Sequence, residues 1–199
     1  MAEEVVQEKG KKKGVVMAVV ALVAILVVAV VAYSVLPSIR ASAPYELTPA
    51  AQADPFVSSS LMASSVENSE GEKTTIGDIS KKSQKPIVMN LWATWCPHCT
   101  TEMKDYQKLY DEYGDRVEFA MLDVVDKKSE ASAARDFIKE QAFTFPVYYD
   151  SDAEVRNALS VVGIPMSVIV SADGDVVLAR SGEINYSAMK STIEKVLNA

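Results

Sequence analysis

The longest hydrophobic run of the chain lies near its start. Residues 15–36, VVMAVVALVAILVVAVVAYSVL, are 22 residues without a charged side chain. As a helix, this run would reach about 33 Å at about 1.5 Å per residue, enough to cross a bilayer core of about 30 Å. Because the run is apolar on every face, it favours a transmembrane anchor over a buried helix of a soluble fold.

The charges that flank this run predict its orientation. Four lysines lie between residues 9 and 13, whereas only Arg40 follows the run closely. The positive-inside rule then places residues 1–14 in the cytoplasm and the rest of the chain outside it. A signal peptide cleaved at Ala43 is the alternative, since Ala41-Ser42-Ala43 resembles a small-residue cleavage site. A retained anchor is favoured because the run exceeds the usual signal core of about 7 to 15 residues.

Beyond the anchor, the hydrophobic pattern divides the chain in two. Residues 37–71 are rich in Ser, Ala, Pro and Glu and show no sustained period, which indicates an extracytoplasmic tether. From residue 72 to residue 199, apolar positions recur with the periods of strands and helices. We therefore expect one folded domain at 72–199.

The elements of this domain follow from their periodicity. After the only two cysteines, Met103, Tyr106, Tyr110 and Tyr113 recur at steps of three and four, which predicts a helix that ends at Gly114. The other expected elements are strands at 87–91, 116–124 and 166–170, helices at 130–141 and 153–159, a hairpin turn at 173–174 with its returning strand, and a last helix from Tyr186. This order predicts an α/β domain with a mixed central sheet and helices on both faces.

The charge balance excludes one class of partner. Residues 37–199 carry 16 Lys plus Arg and 24 Asp plus Glu, a net charge of −8. Nucleic-acid binding requires a basic surface, so no nucleic-acid partner is expected.

The candidate chemistry lies in NLWATWCPHCTTE, residues 90–102, where His98 separates Cys96 from Cys99. Three interpretations compete. A structural zinc site needs about four ligands, and these three are the only soft ones in the chain. A purely structural disulfide would close a very short loop and add little stability. Dithiol–disulfide exchange is favoured, and it requires neither a metal nor a cofactor.

The position of the pair suits this exchange. It follows a strand and opens a helix, so Cys96 would lie at the helix N-terminus, where free N–H groups and the dipole favour a thiolate. Pro97 suits the first helical position because it lacks an N–H. Cys99 would lie one turn further along as the resolving thiol. An extracytoplasmic location is also where disulfides persist.

At this point the sequence resembles a known family. NLWATWCPHCTTE is similar to the active-site segment of membrane-anchored thioredoxin-fold proteins of the TlpA/ResA type. The resemblance runs from about Glu72 to Ala199 and includes KPIVMNLWATWCPHC, the VVGIP segment and the SADGDVV hairpin. It implies that 72–199 is a thioredoxin-like domain with a redox disulfide, Cys96–Cys99, and that the protein is an extracytoplasmic thiol:disulfide oxidoreductase.

The resemblance extends to two further residues, Pro165 and Glu102. Pro165 matches the cis-proline that faces the cysteines, although an ordinary trans turn is the alternative. A cis peptide would leave backbone groups of Ile164 free to pair with an extended substrate. Glu102 matches a buried acid that would shuttle the proton of Cys99. Its alternative role is a first-turn acid favoured by the helix dipole.

The residues around the cysteines would contact the substrate. We expect Trp95 to shape the substrate surface together with Pro97 and His98, and Trp92 to pack in the core. His98 lies between the cysteines as in the oxidase DsbA, where a histidine stabilises the thiolate and makes the pair more oxidising.

The scaffold favours the opposite direction of electron flow. TlpA/ResA-like proteins typically reduce disulfides in client proteins, for example to give the thiols of apocytochrome c. A CcdA/DsbD-like membrane protein then returns them to the reduced form. Oxidation of exported proteins, with a quinone-linked oxidase as partner, is the alternative. A non-catalytic thiol-dependent chaperone or metal carrier is a second alternative, which the absence of any further histidine disfavours.

Overall fold

The computed structural model describes residues 17, 19–28, 30, 55–125 and 131–198. The chain divides into two compact units, Met1–Tyr45 and Glu46–Ala199. In the first unit, the described residues are helical and their large apolar side chains are exposed. Among the described residues, no helix has both the length and the apolar character needed to cross a membrane.

Several expectations concern residues outside the described part of the chain. These are the cytoplasmic segment at 1–14, both ends of the anchor, the cleavage site at Ala43 and the tether from 37 to 54.

The second unit alternates strands and helices. Its helices are α1 (Pro55–Ala63), α2 (Ile76–Ser83), α3 (Pro97–Tyr113), α4 (Ala131–Glu140), α5 (Glu154–Ala158) and α6 (Tyr186–Leu197). Its strands are β1 (Ser65–Glu67), β2 (Lys73–Thr75), β3 (Ile87–Trp92), β4 (Glu118–Asp123), β5 (Val147–Tyr149), β6 (Met166–Val170) and β7 (Val176–Ser181).

The strands form one mixed sheet in the order β2-β1-β5-β4-β3-β6-β7. Strand β3 pairs in parallel with β4 and antiparallel with β6. All six residues of β3 are buried, as expected for a central strand covered on both faces. The carboxyl end of this strand leads directly to the cysteines.

Two hydrophobic clusters cover the two faces of the sheet. Along β3, Val88 and Trp92 belong to the cluster that contains α3, α4 and α6, whereas Met89 and Leu91 belong to the cluster that contains α1, α2 and α5. The period of two in a strand produces this division, because successive side chains point to opposite faces. The α/β domain with helices on both faces is confirmed.

The folded unit begins earlier than its hydrophobic pattern suggested. Residues 55–71, expected to belong to the tether, include α1 and β1, and Leu61 and Val66 are buried in the core. Residues 73–83 form a short strand and then α2, which the pattern did not predict. The side-chain hydroxyl of Thr75 caps α2 by accepting the N–H of Asp78.

Candidate functional site

The site forms where β3 gives way to α3. Cys96 has extended backbone geometry and is the N-cap of α3, and Pro97 occupies the first turn. Cys96 and Cys99 are joined by a disulfide bond. The backbone N–H of Cys99 donates to Sγ of Cys96 at 3.2 Å. In the reduced protein this N–H and the helix dipole would favour a thiolate at Cys96.

The two cysteines differ in exposure in the expected sense. Cys96 keeps 6% of its surface exposed, whereas Cys99 keeps 0%. Trp95 is 39% exposed beside Cys96, and Trp92 is fully buried in the core. A partner sulfur would therefore reach Cys96 rather than Cys99, with Trp95 at the edge of the approach.

The loop before β6 lies opposite the cysteines. The Ile164–Pro165 peptide bond is cis, as the resemblance implied. The carbonyl oxygen of Ile164 lies 3.9 Å from Sγ of Cys96. Val162, two residues earlier, is 97% exposed. The loop thus brings a backbone acceptor to the sulfur of Cys96.

Glu102 lies on the buried face of α3, one turn after Cys99, and is 2% exposed. Its Oε1 accepts a hydrogen bond from Nδ2 of Asn90 at 2.6 Å, and its Oε2 accepts one from the N–H of Ile184 at 3.0 Å. Burial raises the pKa of Glu102 to about 7, although these two hydrogen bonds oppose the increase. A carboxyl group with this pKa can take or give a proton near neutral pH.

Further polar groups are buried beside Glu102. Asn90 is 0% exposed, and its Oδ1 has no hydrogen-bond partner among the described residues. Ser167 faces Asn90 across the β3–β6 pairing and hydrogen bonds the hydroxyl of Tyr106 at 2.7 Å. Burial raises the pKa of Tyr106, so this phenol stays protonated at neutral pH. Glu102 therefore has buried polar neighbours in Asn90, Ser167 and Tyr106.

Three consecutive residues after β7 complete the site, and we call them the 182–184 segment. The N–H of Gly182 donates to the carbonyl of Pro165 at 2.8 Å. Glu183 Oε2 lies 3.2 Å from Nδ1 of His98. Ile184 donates its N–H to Glu102, as described above. Gly182 has a φ of +90°, a conformation that favours glycine.

The structure brings together all the site residues that the sequence suggested: Trp95, Cys96, Pro97, His98, Cys99, Glu102, Ile164 and Pro165. It adds Asn90 and the 182–184 segment, which the sequence did not assign to the site. A polar residue inside the apolar run IVMNLW was a signal for Asn90. Nothing in the sequence pattern pointed to Glu183, which lies 85 residues from His98 along the chain.

Comparison with known proteins shows the family of this chain. The model of the AhpC/TSA family matches residues 57–179, which is more than half of the chain. The chain belongs to the AhpC/TSA family. The match begins within α1, in agreement with the early start of the folded unit.

Curated relatives of the chain carry the names of thiol–disulfide oxidoreductases. Sporulation thiol-disulfide oxidoreductase A of Bacillus subtilis is 29% identical over 127 residues, covering 63% of this chain and 74% of the relative. A thiol-disulfide oxidoreductase ResA of Bacillus cereus is 30% identical over 132 residues, covering 66% of this chain and 73% of the relative.

Solved structures agree on the fold. StoA from Bacillus subtilis is 25% identical with a TM-score of 0.55, covering 64% of this chain and 92% of StoA. The structure of MTB dsbF in mixed oxidised and reduced forms is 20% identical with a TM-score of 0.60, covering 69% of this chain and 97% of that one. The expected thioredoxin-like fold is thereby confirmed.

Proposed function

We propose that the protein is a membrane-anchored, extracytoplasmic thiol:disulfide oxidoreductase that reduces disulfides in client proteins, apocytochrome c being one expected class. The observation that carries the proposal is the Cys96–Cys99 disulfide at the N-terminus of α3, with the Ile164–Pro165 loop opposite it and Glu102 buried behind it. The names of the curated relatives support the same activity.

The first step uses Cys96 of the reduced pair. Its thiolate, favoured by the N–H of Cys99 and the helix dipole, attacks one sulfur of the client disulfide. The client S–S bond breaks, one client sulfur leaves as a thiolate that takes a proton, and a mixed disulfide forms with Cys96. The client backbone lies along the loop of Ile164 and Pro165, while Trp95 packs against it.

The second step uses Cys99 and Glu102. The carboxylate of Glu102 removes the proton of the buried Cys99 thiol, and the new thiolate attacks Sγ of Cys96. The Cys96–Cys99 disulfide forms, and the second client sulfur leaves and is protonated. In total, two electrons and two protons pass to the client. A pKa near 7 suits Glu102 to this role, since it must gain and lose a proton at neutral pH.

In this proposal, the anchor holds the domain at the membrane, and a membrane partner supplies the electrons. The uncharged run at 15–36, with lysines before it, supports a single-pass anchor that holds the domain outside the cytoplasm. The oxidised pair then needs two electrons and two protons, which a CcdA/DsbD-like membrane partner would supply.

Insulin reduction by the full-length chain in detergent tests the activity. We expect the wild type to accelerate the reduction of insulin by dithiothreitol. The rate enhancement should be more than about 100-fold smaller for Cys96→Ser and for Cys99→Ser, because both sulfurs are required. Cys99→Ser should also trap client proteins in mixed disulfides, whereas Cys96→Ser should not. A wild-type protein that leaves the rate unchanged would refute catalysis and favour the chaperone or carrier alternative.

Oxidation of clients is the second candidate, and His98 is the observation that favours it. An imidazolium between the cysteines stabilises the thiolate and so the reduced form, which makes a pair more oxidising. The reduction potential decides between the two directions. A value near that of thioredoxin, about −270 mV, supports reduction of clients, whereas a value near that of DsbA, about −120 mV, refutes it.

A further inference from the structure

The 182–184 segment contacts three parts of the site with three consecutive residues. Gly182 is tied to Pro165 and Ile184 to Glu102, both through backbone N–H groups. Between them, Oε2 of Glu183 lies 3.2 Å from Nδ1 of His98. The two backbone hydrogen bonds fix the backbone on either side of Glu183. The Glu183 side chain therefore starts from a position within reach of His98.

The pair of Glu183 and His98 lies at the surface. Their side chains are 47% and 77% exposed, respectively. His98 is in the first turn of α3, where the dipole already favours negative charge at Cys96. A positive imidazolium there adds to this effect on the thiolate, whereas a carboxylate that pairs with the imidazolium cancels much of it. Glu183 also acts on the buried Glu102, whose pKa it raises, while Arg180 lowers that pKa.

We propose that Glu183 is a positioning residue that holds His98 in an ion pair and thereby makes the Cys96–Cys99 pair more reducing. The inference rests on the proposed function, since it assumes that this pair exchanges electrons with other thiols. It gives the two opposing features of the site one explanation. The histidine between the cysteines favours an oxidant, and the neighbouring carboxylate opposes it.

The redox reaction that measures this effect is balanced. The Cys96–Cys99 disulfide and two molecules of glutathione give the dithiol and one glutathione disulfide, so two electrons and two protons pass to the protein. Any group that stabilises the Cys96 thiolate favours the dithiol side. If Glu183 opposes this stabilisation, then removing its charge must raise the equilibrium constant for reduction.

A double-mutant cycle tests the proposal with the full-length chain in detergent, equilibrated in glutathione buffers at pH 7. We expect Glu183→Gln to raise the equilibrium constant for reduction by about twofold to fivefold, the range that an exposed ion pair allows. In a His98→Gln background the same change should raise the constant by less, because only the direct field of the carboxylate remains once its hold on His98 is gone. Asp173→Asn, which removes an exposed acid at the β6–β7 turn, is the matched control and should leave the constant unchanged.

Two results would overturn the inference alone. One is that Glu183→Gln leaves the equilibrium constant for reduction unchanged or lowers it. The other is an equal increase in the His98→Gln background, since Glu183 would then act without His98. A wild-type protein that does not exchange with glutathione at all would instead refute the proposed function, and the inference with it.

Discussion

At the scale of single residues, Glu102 is a buried carboxyl group whose pKa is raised into the neutral range. It is buried, and two N–H donors in the described part of the chain serve its carboxylate. Its pKa is about 7 in the fold against 4.5 for the unperturbed group, so the folded protein binds this proton more tightly than the unfolded chain. The ionised carboxylate is therefore a cost to stability, and the proton transfer proposed for Glu102 would account for its presence.

Replacing Glu102 by Gln tests this cost. Since the pKa is raised on folding, the stability of the wild type is unaffected below about pH 4.5 and falls as pH rises through 7. We expect the unfolding free energy of the oxidised wild type to drop by about 3 kcal/mol relative to Glu102→Gln between pH 4.5 and pH 8. Urea unfolding followed by tryptophan fluorescence measures it. Parallel pH profiles for the two proteins would contradict the assignment.

Sequence reasoning worked at this scale where a residue belongs to a local motif. Cys96, Pro97 and Cys99 are adjacent in the chain, and Glu102 follows on the same helix face, so their proximity could be predicted. The proximity of Glu183 to His98 could not be predicted, because it depends on how the hairpin of β6 and β7 returns beside α3.

At the scale of elements, the success of the predictions follows the strength of the periodicity. The helix expected to end at Gly114 ends there, with the N–H of Gly114 bonded to the carbonyl of Tyr110. The strand expected at 87–91 is one residue longer, and the strand at 166–170 has the expected bounds. These elements are amphipathic or almost wholly apolar, and this pattern indicates their type.

The missed elements lack such a signal. Helix α1 has the sequence PFVSSSLMA, in which three serines interrupt the apolar stripe. Strand β1 has only three residues, and a single residue pair, Glu67 with Tyr149, joins it to β5. Both are stabilised by contacts with distant segments, which local periodicity does not report.

Replacing Leu61 by Ala tests whether α1 is part of the folded unit. Leu61 is 0% exposed in the core on the α1 side of the sheet, so we expect a loss of about 2–5 kcal/mol in the free energy of unfolding. Phe56→Ala in the same helix is the control, since Phe56 is 76% exposed, and it should change stability by about 0.5 kcal/mol or less. Equal effects of the two changes would indicate that α1 belongs to the tether and not to the folded unit.

At the scale of the whole molecule, the fold class followed from the order of elements, but the sheet order did not. The placement of β1 and β2 beyond β5 depends on pairings between segments about 80 residues apart, such as Glu67 with Tyr149. The location of the domain depends instead on the first unit of the chain, whose role as an anchor belongs to the proposed function.

Charges introduced into the apolar run test the anchor. Val23→Lys combined with Leu26→Lys places two charges near the middle of the run, where each costs about 2.5–3.5 kcal/mol in a bilayer. We expect the wild type to remain with membranes after alkaline carbonate extraction and this double variant to be released. Ser38→Lys combined with Ser42→Lys, outside the run, is the control and should be retained. Release of the wild type would rule out an integral anchor.

The most direct test of the central claim is the pH dependence of alkylation of the reduced full-length protein by iodoacetamide, read out separately for Cys96 and Cys99. The site geometry predicts that Cys96 reacts at pH 6.5 at least about tenfold faster than a free cysteine, whose pKa is about 8.5, while Cys99 stays protected. A Cys96 that reacts at pH 6.5 no faster than free cysteine, or more slowly than Cys99, would contradict the assignment of Cys96 as the attacking sulfur.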